Sequence, residues 1–249
     1  MSGKVFFLSD FHLGAPTHTQ SLEREKKIVQ FLDQIKRETG MLFILGDMFD
    51  FWFEYRKVVP KGYVRLLAKI AEFSDNGIPV YFFTGNHDMW VKDYFEKELG
   101  MIVLHQPKVF DLSGKKFLIG HGDGLGPGDH GYKRLKKIFR NPFCQWLFSL
   151  IPPALGIGIA DYFSKTSRAK TGISEQRFLG EEKEWLIHYC REKLQKSHYD
   201  FFVFGHRHLP IDFKLKENSR YINLGDWIHH FSFAVYDGNN LELKFHKPE

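Results

Sequence analysis

Cysteine is scarce in this chain. Cys144 and Cys190 are the only two, and their distance in sequence excludes a disulfide framework or a Cys-x-x-Cys zinc site and leaves both as small buried hydrophobes. No signal peptide is expected either, because the short apolar run Val5 to Leu8 gives way to Asp10, and cytosolic residence is the expectation. Phe143 to Ala160 carries no charge, but Pro152-Pro153 and then Gly156 and Gly158 are expected to break it into pieces too short to cross a bilayer as a helix.

What is present suffices for one substantial core. With 249 residues and 43% hydrophobic side chains, a single α/β domain over 1–249 is expected. The net charge of +5 is uneven: Lys133, Arg134, Lys136, Lys137, Arg140, Lys165, Arg168 and Lys170 face one acid, Asp161, between Tyr132 and Lys170. That segment is strongly basic and the rest of the chain slightly acidic.

Lys4 to Ser9, Met41 to Leu45 and Pro79 to Thr84 read as buried strands, and Leu22 to Glu38 and Tyr63 to Asp75 as amphipathic helices. This βαβαβ order predicts a parallel sheet. Val109 to Leu112 and Phe117 to Gly120 resemble a hairpin, and Asp200 to Phe204, Ile211 to Lys214, Arg220 to Leu224, Phe231 to Tyr236 and Leu241 to Phe245 are short strands. A second, more antiparallel sheet packed on the first gives an α-β-β-α sandwich, with residues 124–180 as a helical insertion over the site.

Five short motifs begin where apolar runs end: Asp10-Phe11-His12, Gly46-Asp47-Met48-Phe49-Asp50, Gly85-Asn86-His87-Asp88, Gly120-His121-Gly122-Asp123 and Gly205-His206-Arg207-His208. Each alone is weak, since an aspartate caps turns and a histidine is more often structural. Together they supply carboxylate, amide oxygen and imidazole, the donors that hard divalent ions prefer beside an anionic substrate. Asp10 and His12, at i and i+2 of an extended segment, can point the same way and chelate one ion. Asp47 is the expected bridge, Asn86, His121 and His206 complete the second ion's shell, and His208 returns to the first. Two ions about 3.5–4 Å apart clamp phosphoryl oxygens during in-line attack. Asp50 is expected to orient His87 and raise its pKa, making that ring a general acid, a donor to a phosphate oxygen or a scaffold.

The motif set resembles the calcineurin-like metallophosphoesterase superfamily over residues 10–208. That resemblance implies a four-layer sandwich and a dinuclear site, often manganese, with Asp10, His12, Asp47, Asn86, His121, His206 and His208 as ligands. After the fourth motif, Gly128-Asp129-His130-Gly131-Tyr132, Asn141-Pro142, Gln145-Trp146-Leu147-Phe148 and Ser164-Lys165-Thr166-Ser167-Arg168 are similar to the family of UDP-2,3-diacylglucosamine pyrophosphohydrolases of lipid A synthesis. The likeness implies a glycolipid nucleotide substrate, two divalent ions, and substrate contacts at Asn86, Asp129, Ser167 and His206, extended here to His87, Arg168 and Lys170. Two positions depart: many members have Arg where this chain has His87, and Glu where it has Asp50.

An apolar stretch beside basic ones in a single insertion points to contact with a bilayer surface, which the resemblance implies is the cytoplasmic face of the inner membrane, with no nucleic acid partner expected. Packing of the insertion onto the body accounts for many of the same residues. A nuclease or nucleotide phosphodiesterase would use the basic segment to grip phosphates but leaves Phe143 to Ala160 unexplained, and a catalytically silent scaffold predicts incomplete ligands.

Overall fold

Alternation along the first strand sets the layering. In β1 (Lys4–Leu8), Phe6 and Leu8 face one apolar cluster while Val5 and Phe7 face another. The same division recurs in β2 (Thr39–Ile44) and β3 (Val80–Phe83), so this sheet is buried on both sides. The computed structural model describes residues 3–128, 130–171, 177–178 and 180–247, and only the backbone of 161 and 164–171.

Helices α1 (His18–Ile35), α2 (Val64–Asp75) and α3 (Tyr94–Leu99) precede β2, β3 and β4 (Ile102–Leu104), and all four strands run parallel. Thr17 caps α1, accepting the N–H of Gln20 at 3.3 Å, which starts that helix four residues before the apolar periodicity does. Glu25, buried on α1, accepts the N–H groups of Arg65 and Leu66 at 2.9 and 3.1 Å and so caps α2.

The second sheet is ordered β5 (Lys108–Leu112), β6 (Lys115–Ile119), β7 (Phe201–Phe204), β9 (Ser219–Leu224) and β8 (Pro210–Lys216). Its centre departs from the expected antiparallel character, because β6, β7 and β9 are parallel. The last two strands, β10 (Ser232–Tyr236) and β11 (Leu241–Phe245), return to the first sheet, where β10 pairs with β1. Phe7 stacks between Phe43 and Phe117, at 5.1 and 6.0 Å, and joins the two sheets. Helix α7 (Trp185–Lys196) covers the outer face of the second sheet with Leu186, Ile187 and Cys190. The layers are α-β-β-α.

Between β6 and α7 lie α4 (His130–Phe139), α5 (Pro142–Ser149) and α6 (Pro153–Thr171). Asn141 caps α5 and Pro142 opens it. Pro152-Pro153 separates α5 from α6, but Gly156 and Gly158 lie within α6 and do not break it. Gly156 serves close packing, since a Cβ there would collide with the Tyr55 hydroxyl. No helix among the described residues is long and apolar enough to cross a membrane.

Candidate dinuclear metal centre

Every motif lies just past the carboxyl end of a parallel strand: Asp10 after β1, Asp47 after β2, Asn86 after β3, His121 after β6 and His206 after β7. Those ends share one edge of the sandwich, where open α/β sheets place their ligands. Beyond the strands the loops zip to each other, with Asp10 N–H donating to the Gly46 carbonyl at 3.1 Å, His12 N–H to Asp47 at 2.9 Å and Gly205 N–H to His121 at 2.8 Å.

The local backbone differs from the extended segment expected. Asp10, His12, Asp47, His206 and His208 all have positive φ, from 44° to 68°. For residues with a Cβ this conformation costs on the order of 1–3 kcal/mol each and persists only where the surroundings enforce it. Here the inter-loop ladder does so. Gly85 allows the β3 exit to press against Asp47, because a Cβ on it would lie 2.6 Å from the Asp47 amide nitrogen.

The side chains form two overlapping groups. Ligand atoms of Asp10, His12, Asp47 and His208 lie within 4.8 Å of one another, as do those of Asp47, His121 and His206. Asn86 Oδ1 is 3.2 Å from His121 Nε2 and belongs with the second group. Asp47 is common to both. Its Oδ1 accepts the His87 N–H at 2.9 Å, while Oδ2 lies 3.6 Å from His12 Nε2 and 3.4 Å from His121 Nε2. Asp10 divides its work the same way, with Oδ2 holding the His206 N–H at 3.0 Å and Oδ1 lying 3.7 Å from His12 Nε2 and 3.4 Å from His208 Nε2.

These residues fit a pair of divalent ions. Asp10 Oδ1 is buried without a hydrogen-bond partner, and the His12 and His208 Nε2 atoms meet 3.2 Å apart beside it, so lone pairs converge where a cation is called for. His121 Nδ1 donates to the Leu45 carbonyl at 2.6 Å, which turns Nε2 toward Asp47 and Asn86. Burial works to raise the Asp47 carboxyl, but the His121, His87 and His12 rings outweigh it and hold it well below the usual range. Burial likewise opposes charge on His121, yet Asp47 lifts it to about 10, so the metal-free cluster takes up a proton that an ion on the same nitrogen displaces.

Asp50 stands behind two rings, its Oδ1 3.5 Å from His12 Nδ1 and 3.9 Å from His87 Nδ1. The closer constraint on His87 is the Asp50 backbone carbonyl, which accepts from Nδ1 at 2.8 Å. Burial pushes His87 down to about 4, the opposite direction from that expected of a carboxylate neighbour. Asp129 lies outside the described residues. Ser167, Arg168 and Lys170 fall on α6, but their side chains lie outside the described set.

Two supporting carboxylates had no assigned role. Asp88 accepts the N–H groups of Gly85 at 2.7 Å, Met48 at 2.8 Å and Asp47 at 3.3 Å, pinning the second motif to the third, and burial beside Asp47 pushes it up to about 7. Asp226 follows Leu224-Gly225 at the end of β9, as Asp47 follows Leu45-Gly46. Its Oδ2 lies 3.4 Å from His208 Nδ1, and Oδ1 accepts three backbone N–H groups, from Ile228, His229 and His230. The repeated Leu-Gly-Asp was the available sequence signal.

Relatives match this chain over nearly its whole length. The UDP-2,3-diacylglucosamine hydrolase of Porphyromonas gingivalis is 39% identical, across 98% of each chain, and that of Salmonella schwarzengrund is 30% identical across 96% of this chain and 97% of its own. Among solved structures, a dimetal phosphatase from Danio rerio aligns over 99% of both chains with a TM-score of 0.50 and 11% identity, a likeness of fold alone. Residues 3–210 match the calcineurin-like phosphoesterase model, and with the strand-end ligand set in place the chain belongs to that family.

Proposed function

We propose that this protein hydrolyses the pyrophosphate of UDP-2,3-diacylglucosamine to UMP and 2,3-diacylglucosamine 1-phosphate. One structural observation carries the choice of substrate. A cleft of about 610 Å³, walled by Phe51, Trp90, Leu135, Phe139, Phe148 and Phe163, opens directly onto Asp50, Asn86 and His87. An apolar chamber ending at a phosphoesterase centre suits a substrate with acyl chains on one side of its phosphates. The names of the two relatives agree with it.

Asp10, His12, Asp47 and His208 would hold one ion, and Asp47, Asn86, His121 and His206 the other, with Mn2+ the metal we assign through the family likeness. When bound, such a pair supplies Lewis-acid charge to the phosphoryl oxygens and lowers the pKa of a water. Water oxygen adds to the α-phosphorus as its bond to the bridging oxygen breaks, so the new oxygen leaves in UMP. The Asp50 carbonyl fixes the His87 ring through Nδ1. An arriving diphosphate raises the pKa of that ring, so that it gains a proton at Nε2 and donates to a phosphoryl oxygen. Asp129 and Ser167 are assigned to the substrate through the family likeness, and we extend that assignment to the cations Arg168 and Lys170.

The exposed face of α5, α6 and the turn between them carries Phe143, Trp146, Leu150, Leu155 and Tyr162. With the neighbouring lysines and arginines they supply the apolar and cationic signals of peripheral attachment, and we assign this face to the cytoplasmic surface of the inner membrane. Flotation with anionic vesicles tests the attachment: recovery of the protein in the lipid-free fraction at low salt overturns it.

Incubating the manganese-loaded protein with UDP-2,3-diacylglucosamine in 18O-water tests the reaction. UMP carrying the label is the expected product. Absence of UMP, or label confined to the lipid phosphate, overturns the assignment.

A further inference from the structure

The two ligand groups are joined at two places. Asp47 belongs to both, and the fifth motif gives His206 to one and His208 to the other. The path of the chain from His206 to His208 therefore helps to fix how far apart the two ions sit. Both residues have positive φ, 68° and 53°, a conformation that persists only where the surroundings enforce it. Arg207 stands between them.

Its side chain leaves the ligand cluster and runs to Glu184, the residue that precedes α7. Nε donates to Glu184 Oε2 and Nη2 to Oε1, both at 3.1 Å, with the two side chains only 3% and 2% exposed. Such a two-point pairing fixes the plane of the guanidinium as well as its place. Nη2 also donates to the Arg177 carbonyl at 3.0 Å, where the chain returns from the insertion. The guanidinium lies 5.6 Å from the centre of the Trp185 ring, and that ring stands edge-on to His206 at 6.4 Å. On the backbone, the Arg207 N–H donates to the Gly205 carbonyl at 2.8 Å, and Asn223 Nδ2 donates to the same oxygen at 2.5 Å. The residue between the two ligands is thus held at its backbone and at its tip.

A buried ion pair is a poor source of stability. Desolvating both charges offsets much of their attraction, and apolar side chains of similar volume often replace such a pair without loss. What the pair supplies is direction, and the loop it directs is the one that spans both ligand groups. We infer that Arg207, clamped by Glu184, is a positioning residue: it holds His206 and His208 so that the two ions keep the separation, about 3.5–4 Å, at which Asp47 bridges them. This rests on the two-ion hydrolase reading above.

Electron paramagnetic resonance of the full chain loaded with two Mn2+ tests the role, because bridged ions are magnetically coupled and separated ones are not. Arg207→Met/Glu184→Met exchanges the pair for apolar side chains. It is expected to keep the unfolding midpoint of the parent and two bound Mn2+ but to lose the coupled signal, with kcat for UDP-2,3-diacylglucosamine lower by about 10–100-fold and KM little changed. Arg207→Lys keeps the charge but not the two-point pairing, and is expected to lose the coupled signal as well. A coupled signal unchanged from the parent in either folded variant overturns the assignment. Failure of both variants to fold overturns it too, since the pair is then needed for the fold itself. A parent that binds two Mn2+ without coupling overturns the bridged pair and this role with it. Failure of the substrate reading is a separate result: a chain that leaves UDP-2,3-diacylglucosamine intact, yet loses coupling in the variants, keeps the role of Arg207 and discards that substrate.

Discussion

Asp10 accepts the backbone N–H of His206 at 3.0 Å, tying the first motif to the fifth across 196 residues of sequence. Asp47 does the same for the His87 N–H at 2.9 Å. In each carboxylate one oxygen locates another loop and the other faces the imidazoles. The buried aspartates thus brace the loops and face the candidate ligand rings at once, and these ties help hold the positive φ at Asp10, Asp47 and His206.

Replacing Asp47 therefore removes more than a ligand. Asp47→Asn retains an oxygen for the His87 N–H but lacks the full negative charge between His12 and His121. Bound metal, measured by elemental analysis after desalting, is expected to fall from about two ions per chain to one or fewer, with turnover reduced by about 10³-fold. Two retained ions would show that Asp47 is not the bridge.

Asp226 tests support without direct ligation. Its carboxylate lies 3.4 Å from His208 Nδ1 and is anchored by three N–H groups. Asp226→Asn is expected to weaken one of the two ions by about 10–100-fold in a chelator competition, because the His208 ring loses the partner that fixes its orientation. The second ion, held by Asn86, His121 and His206, is expected to keep its affinity. Equal weakening of both would point to a general loosening of the site.

The parts legible in the sequence were those in which one residue type reports on one environment. The runs Val5–Leu8 and Leu42–Leu45 are apolar on both faces because helices cover one side of the sheet and a second sheet the other. Helix α3 has six residues and β4 three, too short for a period to show. Helix α7 turns only Leu186, Ile187 and Cys190 fully inward among many charges. The return of β10 to the first sheet depends on contacts with β1, over two hundred residues earlier in the chain, which no local pattern carries. The seven candidate ligands could be picked out by type and spacing, but the left-handed backbone at five of them could not, since aspartate and histidine there look as they would anywhere.

Leu135 tests the apolar cleft. It lines the chamber from α4 and is partly exposed, so a substitution there leaves the body of the protein intact. Leu135→Lys is expected to raise KM for UDP-2,3-diacylglucosamine about tenfold or more, since a charge must be desolvated beside acyl chains, with a smaller change in kcat. A nucleotide diphosphate sugar lacking acyl chains should show no such rise. A uniform loss on both substrates would place Leu135 in the folding of α4 instead.

Asp200 gives a pH test remote from the metal ligands. Burial works to raise its carboxyl, but the Lys116 N–H at 2.8 Å, Lys115 at 3.2 Å and His198 at 3.5 Å outweigh it and hold the pKa below the ordinary value. The residue also ties strands together, its N–H donating to Lys116 and its carbonyl accepting from Arg220. A depressed carboxylate contributes stability that is present above the unfolded pKa of about 3.9 and is lost as pH falls through the lower folded value. Asp200→Asn is therefore expected to cost about 1 kcal/mol at pH 7, the worth of a charge-assisted hydrogen bond in a partly solvated position. In denaturant titrations the gap between variant and parent should close as pH falls below about 4, following that linkage. A gap that stays constant to pH 3 would mean that the cost comes from packing and not from charge.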